Sequence, residues 1–64
     1  MEKSEVHGLL LKAWGQINLE KEAMMQCGRT EGWDEDLVAY IGRLSEAMDA
    51  ASHAAELVKR IAPL

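Results

Sequence analysis

The side chains best spaced for chemistry are Asp49, His53 and Glu56, which stand four and three residues apart. On a helix those spacings make surface neighbours. An imidazole flanked by two carboxylates is a possible divalent-metal site. Glu46 and Arg60 share that side of the helix. Metal sites inside helical bundles use Glu-x-x-His pairs that project inward. Here the order is reversed, and the group lies on the polar side, away from the apolar stripe of the same segment. His7, the other histidine, brings no second ligand set with it. A solvated charged face is the reading adopted, with no metal and no cofactor expected.

Cys27 is the single cysteine, so an intramolecular disulfide is impossible. A nucleophilic thiol needs a neighbouring base or cation, and only Arg29 is near in sequence. His7 lies twenty residues back on the same helix, about 30 Å at the helical rise, and His53 points to the polar face. A buried, inert thiol is expected. Asp34-Glu35-Asp36 begins like a calcium loop but lacks the loop glycine and the twelfth-position glutamate at the right offsets. Gly28-Arg29-Thr30-Glu31-Gly32 has no lysine followed by serine or threonine, so it is not a phosphate loop. No acid–base or nucleophile constellation remains, and an enzyme is not expected.

The elements that must position these residues are helices. The one proline, Pro63, sits near the end of the chain, and no useful apolar/polar alternation occurs. Helix 1 is expected over about 5–27, with Ser4 as N-cap, Glu5 meeting the helix dipole and Gly28 as the stop. Val6, Leu10, Ala13, Ile17 and Met24 cluster on one face. Leu9 and Cys27 flank it on one side, Trp14 and Met25 on the other. The turn is expected over about 28–33. Asp34 is the best cap for helix 2, over about 34–62, with Thr30 as a rival. Trp33 and Val38 then have the spacing of a hydrophobic staple.

Helix 2 carries the clearest pattern. Written in sevens, its apolar rows are Leu37, Leu44, Ala51, Val58; Tyr40, Ala47, Ala54, Ile61; and Ile41, Met48, Ala55, Ala62. Three apolar positions per heptad are what a bundle-core helix shows. The fold class is therefore all-α: an antiparallel hairpin of two long amphipathic helices forming one domain over 1–64. So wide a stripe cannot be hidden by one partner helix, and two hairpins are expected to associate into a four-helix bundle. The expected oligomer core is Leu37, Tyr40, Ile41, Leu44, Met48, Ala51, Ala55, Val58 and Ile61.

Size and charge narrow the function. A domain of 64 residues buries only about 60% of its unfolded surface, and association is one of the usual remedies. The start of the chain reads as no secretory signal and no stretch is long enough to span a membrane; with one cysteine, a cytoplasmic setting is expected. Net charge is −4, all of it beyond residue 29, which weakens the electrostatic drive for nucleic acid. Gly8 and Gly15 sit one heptad apart opposite the main stripe, beside Leu11 and Leu19. Leu11, Gly15, Leu19, Met25 and Arg29 are the candidate partner-binding residues. The leading expectation is a small non-enzymatic protein-binding regulator, inhibitor or adaptor that acts as a homo-oligomer, a role often filled by bacterial and phage proteins of this size. In layout the expected dimer resembles the plasmid copy-number Rop hairpin dimers. That resemblance implies RNA binding, and the alternative expectation is binding of RNA or a small anionic ligand by the assembled bundle, with Lys3, Lys12, Lys21, Arg29 and Arg43 gathered across a dimer into a groove.

Overall fold

The computed structural model describes residues 2–61. Two helices, α1 (Lys3–Glu31) and α2 (Glu35–Ile61), run antiparallel and pack against each other as a hairpin. There is no strand among the described residues.

Both ends of α1 differ from the sequence expectation. Ser4 is not the N-cap of α1. Glu2 is, with no side-chain cap bond, and its carbonyl accepts from the Val6 N–H at 3.1 Å. Gly28 does not stop α1. It lies inside the helix, and a methyl group built on it would sit 2.5 Å from Cε3 and Cζ3 of Trp33. Only a residue without a side chain lets the indole lie there, so Gly28 is a cradle. The stop is Gly32, at φ 105° and ψ 154°, a conformation open essentially to glycine alone. Its N–H closes the last turn on the Gly28 carbonyl at 3.0 Å. Thr30 caps no helix start either. Its hydroxyl donates back to the carbonyls of Gln26 and Cys27, at 3.1 and 3.3 Å.

The cap of α2 is as the sequence predicts. Asp34 Oδ1 accepts from the Leu37 N–H at 2.8 Å, and the Asp34 carbonyl accepts from Val38 at 3.0 Å. This satisfies a backbone donor that the first turn would otherwise leave unpaired. Trp33 and Val38, the expected staple pair, both remain half exposed; the indole spends its other half on Gly28. Ala62, assigned to the third row of α2, lies outside the described residues.

The seam between the helices is narrow. On α2 it is made by Leu37, Ile41, Leu44, Met48, Ala51, Ala55 and Val58, all at least half-buried. Their alternating spacing of four and three is that of a two-position stripe. The facing positions of α1 include Leu10, Ile17, Lys21, Met24 and Gly28. Among the described residues, the only buried hydrophobic side chains are Met48 at 8% exposure and Ala55 at 3%, and none is wholly buried. The rod measures 45 × 14 × 14 Å, with a radius of gyration of 14.6 Å. A compact domain of this length would have about 10.7 Å.

Gly32→Ala forces an L-residue into that turn and should lower stability by about 1–3 kcal/mol. Asp34→Ala removes the cap and should lower it by about 1 kcal/mol. Urea unfolding followed by circular dichroism at one fixed protein concentration checks both. An unchanged midpoint for Gly32→Ala would refute the role given to this turn.

Candidate functional site

What the hairpin offers is its outside. The hydrogen bond from the Tyr40 hydroxyl to Glu20 Oε1, at 3.0 Å, shows which flanks of the two helices lie side by side. It joins residues twenty apart in sequence and marks the register of the two helices. One heptad back along α1 from Glu20 is Ala13, and one heptad on along α2 from Tyr40 is Ala47. In an antiparallel pair those two shifts keep the same level and the same flank. Leu9, Ala13, Tyr40, Ala47 and Ile61 are all exposed on this flank, and Ala54 is half-buried. It is an apolar strip, small in the middle and bulky toward the ends, with Ile61 at 72% exposure.

The residues expected to form the oligomer core therefore divide. Seven of them, Leu37, Ile41, Leu44, Met48, Ala51, Ala55 and Val58, are already engaged with α1 inside one chain. Tyr40 and Ile61 lie on the open strip. The reason is angular. Tyr40, Ala47 and Ile61 lie beside the four-and-three stripe that faces α1, not on it.

The five expected partner-binding residues also divide. Leu11 and Leu19 are exposed on the outer side of α1, Leu19 at 65%. Gly15 lies between them, and a side chain built there would meet nothing within 4 Å. Gly8 is equally open, so packing within the chain requires neither glycine. Met25 instead is half-buried near the seam. Arg29 is exposed further along the helix, its Nε donating to Gln26 Oε1 at 3.2 Å. The structure thus brings Leu11, Gly15 and Leu19 onto one short stretch and places Met25 and Arg29 away from it.

Cys27 is half-buried rather than buried, and its thiol donates to Glu31 Oε2 at 3.1 Å. That bond, desolvation, and the nearby negative charges of Glu31 and Asp34 all push the thiol above its ordinary value. It stays protonated at neutral pH, which is the inert behaviour expected of it. The bond to Glu31, four residues on, was not anticipated, although a spacing of four on a helix is its signal. The phenol of Tyr40 is likewise raised, first by its bond to Glu20, then by desolvation and the Glu20 charge.

His53 is exposed and His7 half-buried. His53, Glu56, Leu57 and Arg60 line a shallow depression on the outer face of α2 alone. Among the described residues no three His, Cys, Asp or Glu side chains converge as a metal-ligand set. Arg43 pairs with Glu46 at 3.3 Å, but both are well exposed, and such pairs contribute little. No helix among the described residues is long and apolar enough to cross a membrane. No protein-family model, no curated protein and no solved structure matches the chain.

Tyr40 is the single tyrosine, so its titration can be followed by tyrosinate absorbance. The midpoint should lie above the usual tyrosine value and return to it in Glu20→Ala. The sign for stability follows. The phenol must keep its proton to donate, so its contribution is full below the ordinary tyrosine pKa and is lost as pH rises through the raised one. An ordinary midpoint in the unsubstituted chain would show that the bond does not persist in solution.

Proposed function

We propose that the protein is a non-enzymatic interaction module: a helical hairpin that self-associates, as two copies forming a four-helix bundle, and binds another protein to regulate it. The observation that carries this reading is the imbalance of the hairpin. Two helices of 29 and 27 residues bury only Met48 and Ala55 among their described hydrophobic side chains, while Leu9, Leu11, Leu19, Val38, Leu57 and Ile61 stay more than half exposed. Apolar surface of that extent is the mark of an interaction site rather than of a finished monomer.

Two separate surfaces support a division of labour. The strip along Leu9, Ala13, Tyr40 and Ala47 serves self-association. The outer side of α1, with Leu11, Gly15 and Leu19, serves the partner protein. There the open space over Gly8 and Gly15 allows another backbone to approach closely. A chemical role finds no comparable support. The Cys27 thiol donates to Glu31, which raises it above its ordinary value.

Native mass spectrometry of the protein isolated from its host tests the proposal, with Gly15→Leu as the variant. The unsubstituted chain should appear as a dimer that carries a second polypeptide. Gly15→Leu should keep the dimer and lose that polypeptide, with affinity reduced at least tenfold. A monomer at every concentration would overturn the self-association, and unaltered partner binding by the variant would overturn the α1 surface.

A further inference from the structure

The hairpin exposes 4761 Å². A compact monomer of its mass, 7.1 kDa, would expose roughly 4,100 Å². The surplus is on the order of 700 Å², close to the ~800 Å² that each partner contributes to a standard interface. One face of the 45 × 14 Å rod spans roughly 600 Å², the order of what each chain contributes to a stable complex.

The strip around Ala47 also has the shape for a copy of itself. Along one row of α2, positions seven apart are Tyr40, Ala47, Ala54 and Ile61. Bulk lies on both ends and small residues occupy the middle. At the level of Ala47 the neighbouring helix presents Ala13, again small, so both backbones can be approached closely at one height of the rod. If the row is turned end for end about Ala47, Tyr40 falls on Ala54, so the aromatic ring meets a small side chain. A surface that complements itself under such a rotation is what an isologous two-fold contact requires.

We infer that the occupant of this strip is a second copy of the chain, antiparallel to the first, with the two-fold axis crossing the rod at the Ala13 and Ala47 level. This rests on the self-association proposed above and specifies its face and its direction. Ala47 lies against Ala47 of the other copy, and Ala13 against Ala13. The turns that hold Gly32 lie at opposite ends of the bundle. The Tyr40–Glu20 bond lies inside the contact, where it holds α1 and α2 of each copy in the register the contact needs.

Cysteine cross-linking separates this inference from the broader one. In a Cys27→Ser background, Ala47→Cys, Ala13→Cys and His53→Cys are made singly, and His53 serves as the outer-face control. Light scattering first gives the mass of each. Mild oxidation should then link Ala47→Cys and Ala13→Cys each to its own kind, with most of the chain converted, and leave His53→Cys unlinked. Alpha carbons within the 4.4–6.8 Å disulfide range are expected only where the axis passes. An equal mixture of Ala47→Cys and Ala13→Cys should give the two homodimers. Predominant linkage between the two variants would mean a parallel pair and would overturn the inference. So would a dimer by mass that links at His53 and not at Ala47, although self-association would then stand. A chain that scatters as a monomer overturns both. Ala47→Glu is the second variant: two carboxylates meet at the axis, and dimer affinity should fall at least a hundredfold.

Discussion

Two helices can touch along one seam, and in this protein the seam must hold together a chain with no disulfide and no third element among its described residues. Leu37, Ile41, Leu44, Met48, Ala51, Ala55 and Val58 supply one side of it, and Ile17, Met24 and their neighbours the other. Among the described hydrophobic side chains the packing is closest around Met48 and Ala55. Elsewhere the seam is half open. Hydrophobic burial scales with area removed from water, while ordering each residue has a fixed entropic cost. A rod with so little buried in its middle is at the margin of what can fold alone. The surfaces left outside follow from that shortage.

Register is the second constraint, and the turn sets it. Gly32 ends α1 in a conformation that other residues resist, Asp34 starts α2 two residues on, and Trp33 between them folds back over Gly28. These few residues decide which levels of the two helices face each other. Twelve or so ångströms along the rod, the Tyr40–Glu20 bond marks the same register, at about 1.5 Å of rise per residue. A further heptad along, Ala13 and Ala47 come level. The small centre of the open strip is thus a consequence of the turn. A slip at Gly32 would move Ala13 off Ala47 and replace a flat surface with a ridge.

The architecture was legible in the amino-acid pattern, because long heptad rows, one turn and a near absence of proline admit few alternatives. Asp34 was legible too, since an acidic residue before an apolar run is a cap signal that depends only on local chemistry. The ends of α1 were not. Two glycines, Gly28 and Gly32, each have the composition of a helix stop, and local rules favour the first. Gly28 continues the helix because Trp33 needs the space over it, a tertiary demand that no local rule contains. The division of the α2 rows was hidden for a related reason. All three rows are apolar, and only the pairing with α1 shows that Leu37, Leu44 and Met48 are already used while Tyr40 and Ile61 are not. The split of Met25 and Arg29 from Leu11, Gly15 and Leu19 likewise needed the seam, since Met25 is apolar on either reading.

The charge pattern fits a protein whose activity lies in its surfaces. The acids of the second half stand at the start of α2 and along its outer side, and Lys59 and Arg60 stand in its last turn, which is the arrangement the helix dipole favours. On α2 the open strip has Asp36 and Arg43 four and three residues from Tyr40. On α1 Glu20 borders it, and Tyr40 occupies that carboxylate with a hydrogen bond. A carboxylate beside an apolar contact is tolerable when it is hydrogen-bonded, so the same bond that marks the register also prepares Glu20 to stand beside a covered surface. Tyr40 is then neither a reactive phenol nor a simple core filler. Its ring widens the apolar strip, while its hydroxyl engages the Glu20 carboxylate beside that strip.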